Sequence, residues 1–169
     1  MNIFMTDPCP QISAYNLCDK HVNKMIIECA QMLSTTHRLY DNDYADKMCM
    51  YKSTHVNYVP TIWCRESLEN YNWVYAHMIY LGEMYELKSG KVHKTIRILA
   101  EALKDAPPSI VSKGLTQMAP TMPDEIKVLD MNLYDKYKIC LIEKYKEWVS
   151  RKVKPQKVEF VLARPDWLV

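Results

Sequence analysis

From residue 20 onward the apolar positions recur at helical spacing. Val22, Met25, Ile26, Cys29, Met32 and Leu33 share one face, which predicts a main helix from Lys20 to Arg38 with Asp19 as its cap. Pro10 to Leu17 reads as a short helix before it. Residues 41–53 are polar and read as irregular or weakly helical. Pro60-Thr61 carries the start signals of a second long helix running to Lys88 and stopping at Ser89-Gly90. Ser67 with Asn70 offers an internal cap, and with it a break near Ser67. Lys91 to Lys104 predicts a helix burying Val92, Ile96, Leu99 and Leu103. Asp130 to Arg151 predicts a last helix burying Leu133, Tyr137, Leu141 and Trp148. Asn2 to Met5 reads either as a short strand or as an anchored terminus. Val158, Phe160, Val161 and Leu162 suit a strand in the tail. Asp105 to Val128 differs from all of these: it holds Pro107, Pro108, Pro120, Pro123 and Gly114 and has no clean period. A connection this long is more often functional than incidental. The expected fold is mainly α, a single compact helical domain over residues 1–169 with short terminal strands. Its core should contain Val22, Met25, Ile26, Cys29, Leu33, Ile62, Trp73, Val74, Leu81, Ile96, Leu99, Tyr137, Leu141 and Trp148.

Composition narrows the function classes. Of 169 residues, 49% are hydrophobic, enough to bury a core. No apolar run approaches the ~20 residues of a membrane span, and the first residues lack the basic start and cleavage site of a secretory signal. The six cysteines form no CxxC pair, which suits reduced thiols in a cytoplasmic protein. Only three glycines occur, too scattered for a phosphate loop or dinucleotide fingerprint. Net charge is +2, too small to advertise nucleic-acid binding, but it is uneven: Asp130 to Lys157 holds eight Lys/Arg against four Asp/Glu. No cofactor motif and no metal-ligand spacing is present, so neither a cofactor nor a metal is expected.

Candidate chemistry concentrates on the main helix. Beside its apolar stripe runs a polar column of His21, Lys24, Glu28, Gln31 and Thr35. An imidazole, an ammonium, a carboxylate, an amide and a hydroxyl in one column suit acid–base work better than solubility. Two other helix entrances carry a histidine. Around Pro60 lie His55, Asn57, Trp63 and Arg65, followed by Asn70; after Gly90 lie His93 and Lys94. If the three entrances converge, they build a pocket of imidazoles, one carboxylate, cations and aromatic walls, suited to a nucleotide or nucleobase. The loop from Asp105 to Val128 would close over it, with Gln117 and Asp124 as its polar contributors. Each residue also has a plainer role. His21 could simply bond Asp19 at the helix start, and Glu28 could be a solvated helix-face carboxylate. His55 and Asn57 could organise the turn before Pro60, His93 and Lys94 could be surface residues, and Trp63 and Trp73 could be core.

The spacing Asp-x-His with a glutamate seven residues after the histidine, here Asp19, His21 and Glu28, resembles that of the phage pyrimidine dimer DNA glycosylases (endonuclease V). The resemblance covers the first forty residues, with a weaker echo around Trp148. It implies an endonuclease V-like helical domain in which Glu28 is the essential carboxylate. The family's attacking group is the amine of an N-terminal threonine. Here several extra residues precede Asp19, Asn2 follows a Met1 expected to be retained, and Ile27 replaces the arginine before the glutamate. Asp19 to Thr35, Thr54 to Trp73, Gly90 to Lys94 and Met122 to Lys127 also resemble patterns in a set of small conserved proteins of large tailed phages. That resemblance implies a viral setting and no particular chemistry.

The expected function is therefore an enzyme acting on a nucleotide or a DNA base, with N-glycosidic bond cleavage favoured. Glu28 would stabilise an oxocarbenium-like centre or activate water. His21, oriented by Asp19, would shuttle a proton or bind phosphate. Arg65, His93 and Lys94 would hold phosphate, and Asn57, Asn70 and Trp63 the base, with Lys24 and His55 beside them. The alternatives are a non-catalytic phage accessory protein that sequesters a nucleotide or binds a partner, and group transfer in modified-base synthesis. Nucleotide or DNA is the expected partner, with no membrane; the oligomeric state is open.

Overall fold

Two 22-residue helices organise the molecule in a computed structural model that describes residues 2–168. In chain order the helices are α1 (Pro10–Tyr15), α2 (Asp19–Tyr40), α3 (Asn42–Lys47), α4 (Val59–Cys64), α5 (Leu68–Ser89), α6 (Lys94–Leu99), α7 (Asp124–Lys127) and α8 (Leu133–Ser150). The protein is mainly helical, and no strand occurs among the described residues. The retained Met1 expected from the sequence lies outside them.

Local signals explain several boundaries. Ser67 breaks the long predicted helix after Cys64: its hydroxyl accepts the Asn70 N–H at 3.1 Å and starts α5. Gly90 ends α5 in the left-handed region, at φ 68°, where its N–H reaches the Glu86 carbonyl. The predicted helix Lys91 to Lys104 shortens to α6, which starts at Lys94 because His93 caps it, its Nδ1 accepting the Thr95 N–H at 3.1 Å. Val92 is thereby left exposed rather than buried. Cys18, not Asp19, occupies the cap position of α2, and its side chain makes no capping bond.

The apolar stripe of α2 packs chiefly against α5, which also receives α1. Gly82 permits the close approach of α6: a Cβ there would lie 2.8 Å from Ile96 Cγ1. One hydrophobic cluster runs from Ile3 to Leu168. Most of the expected core residues are in it; Ile96 and Trp148 are only partly buried and pack against it, and Ile62 is half-buried outside the cluster. On α8 the buried row is Leu133, Tyr137, Leu141 and Tyr145. The segments expected as terminal strands are irregular and form no ladder. Residues 3–6 are buried like a strand, yet bond to side chains, as when Ser13 Oγ accepts the Thr6 N–H at 2.9 Å. No helix among the described residues is long and apolar enough to cross a membrane. All six cysteines are unpaired.

Candidate functional site

Two residues of the polar column of α2, Lys24 and Glu28, open into a cleft of about 480 Å³. One wall is Lys24 and Glu28. The second is Asn2 and Phe4. The third comes from Thr121, Met122 and Pro123 with Ile126 of α7, and the fourth from Cys140, Glu143, Lys144 and Glu147 of α8. These α8 positions follow i, i+3, i+4, i+7 spacing, so they form a single helix face. The size falls within the roughly 300–1,000 Å³ of small-molecule sites.

Glu28 is 9% exposed. Its Oε2 accepts the Asn2 backbone N–H at 2.9 Å, and its Oε1 lies 3.3 Å from Lys24 Nζ, one helical turn back. Asn2 is itself fixed: its Nδ2 donates to the Thr121 carbonyl at 3.0 Å, and its Oδ1 accepts the Ile3 N–H. Thr121 is held from below, where its N–H donates to the buried Tyr137 hydroxyl at 3.3 Å. The carboxylate, the N-terminal segment, the proline-rich loop and α8 thus form one bonded unit. Burial raises the Cys140 thiol above its usual range, so it faces the cleft as a neutral group. Arg151 holds the Glu147 carboxyl below its usual range.

His21 lies behind the cleft rather than in it. It is 1% exposed and packed among Phe4, Tyr145 and Trp148, with ring centroids 4.8, 5.5 and 5.0 Å away. Its Nδ1 meets the Tyr145 hydroxyl at 3.1 Å and Cys18 Sγ at 3.6 Å, while Nε2 is buried without a hydrogen-bond partner. Burial, aided by the charges of Lys144 and Lys24, pushes its pKa down to about 3. The imidazole is therefore neutral at neutral pH, enclosed, and not among the residues that line the cleft. Asp19 does not orient it. One oxygen of Asp19 pairs with Lys88 of α5, and the other is buried without a hydrogen-bond partner.

The other two histidine-bearing entrances do not converge on Glu28. His93 is buried, its Nε2 3.0 Å from Asn23 Oδ1 and its ring edge-on to Tyr85. Lys94 is exposed at the start of α6. His55 is exposed at φ 49° and bonds Thr54, and Asn57 lies in the turn before α4. The Arg65 guanidinium donates to the Val56 and Thr61 carbonyls. Trp63 Nε1 donates to the Thr116 carbonyl at 2.8 Å, and Asn70 Nδ2 donates to the Trp63 carbonyl and Thr116 Oγ1. Trp63, Arg65 and Asn70 therefore spend their polar atoms strapping loops to α4 and α5, and none lines the cleft. The proline-rich loop does reach the cleft, but through Thr121 to Pro123. Gln117 faces a different groove, and exposed Asp124 pairs with Lys127.

Ten residues of the cleft wall were absent from the sequence-based set. A usable signal existed on α8, where Cys140, Glu143, Lys144 and Glu147 make a chemically mixed row like that of α2. Asn2 and Phe4 carried none, because only the tertiary fold brings them to Glu28. Among the described residues no group of three or more His, Cys, Asp or Glu side chains is arranged to hold a metal ion. The chain matches no described protein family, no curated protein and no solved structure.

Proposed function

We propose that the cleft binds a nucleotide or a base in DNA and cleaves its N-glycosidic bond, with Glu28 as the reacting carboxylate. The observation that carries this reading is the placement of Glu28: nearly buried, held by a backbone N–H and opening into a cleft large enough for a nucleoside. Withdrawal from water strengthens a carboxylate's interaction with developing positive charge at the anomeric carbon. Water activated by Glu28 adds its oxygen to that carbon, the carbon–nitrogen bond breaks, its electron pair leaves on the base, and the water's proton completes the free base. Buried Phe4 adds an apolar edge to the cleft, and Lys24 and Lys144 offer ammonium groups to phosphate. The likeness of Asp19, His21 and Glu28 to the endonuclease V pattern supports the same assignment, and the tailed-phage patterns support a viral setting in the host cytoplasm. The test is incubation with nucleotides and DNA followed by mass spectrometry. Free base should appear, and Glu28→Gln should abolish it while ligand binding and melting temperature stay nearly intact. Equal activity in the variant ends the proposal.

One observation favours a second reading, a non-catalytic nucleotide binder. Both Glu28 oxygens already have partners within the protein, so the carboxylate also fastens the chain around the cleft. Ligand recovered chemically intact after heat release would select that reading.

A further inference from the structure

The opposite face of α8 carries a second cavity, of about 490 Å³. Its walls are Ile142, Tyr145 and Val149 of α8, and Val158, Phe160 and Leu168 of the tail. Lys146 and Arg164 stand at the apolar surface with Ser150, and no carboxylate is among the described lining residues. Neither cation has an ion-pair partner among the described residues. The Glu28 cleft differs sharply, since three carboxylates line it.

The groove is preformed. The Gln156 N–H donates to the Trp148 carbonyl at 2.9 Å, and the Asp19 N–H donates to the Glu159 carbonyl at 2.8 Å. Phe160 packs edge-on against Tyr145, whose hydroxyl is fixed by the Cys18 N–H and His21. These bonds fix the tail against α8 on either side of the cavity, and Val149 is 57% exposed at its lip. An irregular tail pinned at this distance, with apolar walls and two unpaired cations, fits a particular kind of occupant.

We propose that this groove is a binding site for an aliphatic carboxylate, its chain lying against Ile142, Val149, Val158, Phe160 and Leu168 and its head group between Lys146 and Arg164. The chain supplies binding through apolar burial. The two cations supply the sign selectivity, with the arginine able to meet a carboxylate in a two-point contact.

The experiment is calorimetric titration of the full chain with decanoate, decanol and decyltrimethylammonium, each below its aggregation concentration. Decanoate should bind saturably with one site and at least tenfold more tightly than the cation, with decanol between them. The double variant Lys146→Glu/Arg164→Glu should weaken decanoate at least tenfold at an unchanged melting temperature. Val149→Trp, which fills the lip, should remove binding from an otherwise folded chain. Absence of saturable decanoate binding, equal binding of the cation, or undiminished binding by the double variant overturns the proposal. So does sedimentation showing a dimer that decanoate fails to dissociate, since a second copy then occupies the groove. Co-sedimentation with anionic vesicles but no decanoate binding overturns it as well. None of these outcomes bears on base release at Glu28.

Discussion

Three histidines, His21, His37 and His77, are buried with one ring nitrogen each lacking a hydrogen-bond partner. His77 stacks on Trp73 at 5.0 Å, its Nδ1 3.0 Å from the Pro10 carbonyl. His37 Nε2 meets the Tyr71 hydroxyl at 2.9 Å. Burial lowers all three pKa values, His21 to about 3 and His77 to about 4. The unfolded chain therefore takes up protons below about pH 6.5 that the folded chain refuses until lower pH, near 3 at His21 and near 4 at His77. Stability from these groups is fully present above pH 6.5 and is lost as pH falls toward 4 and then 3. Each unit between folded and unfolded values is worth about 1.4 kcal/mol. Urea denaturation should show a midpoint falling steadily from pH 7 to pH 4.5, and a flat midpoint over that interval contradicts the assignment. The sequence placed His21 correctly at a helix start but assigned it to solvent chemistry. Burial was invisible there, because Phe4, Tyr145 and Trp148 arrive from distant segments.

The helices carry more of their own instructions. Ser67 caps α5 and also donates to the Gly114 carbonyl at 2.9 Å, so it anchors both a helix and a loop. Ser67→Ala should cost about 1–2 kcal/mol in chemical denaturation. Gly82→Leu forces α6 off α5 at Ile96 and should cost about 1–3 kcal/mol. The break at Ser67 and the stop at Gly90 were legible because each is a local backbone requirement met by one residue type. The start of α6 was not, because its cap is a histidine, whose capping bond no simple pattern announces. The tail's apolar residues suited a strand, but they form no ladder: Phe160 packs on Tyr145 of α8, and the Glu159 carbonyl accepts the Asp19 N–H.

At the scale of the molecule, the cleft depends on the loop held between Asn2 and Tyr137. Pro123 lines the cleft and stands at the cap position of α7, so its rigidity lowers the entropy lost when the wall is ordered. Pro123→Gly should weaken nucleotide binding several-fold, measured by titration, while lowering the melting temperature by only a few degrees. A larger effect on melting than on binding would make the loop a connection and nothing more. The α2 half of the cleft was readable in sequence as a polar column. The α8 half was present as a matching row, but nothing local said that the two rows face one another.

The Tyr145 hydroxyl joins two ends of the chain: it receives the Cys18 N–H 127 positions earlier and meets the His21 ring 124 positions earlier. Contacts of such separation are closed late, because the intervening loop must first lose its freedom. A ribosome adds roughly 5–20 residues per second, so α2 leaves it many seconds before α8 exists to cover it. During that interval the stripe around Phe4 and His21 stands uncovered, and a chain halted before Trp148 would offer this surface to chaperones or to other unfinished copies. Newly made protein should therefore acquire its cleft in one late step, when the last long helix docks, rather than by gradual growth from the first.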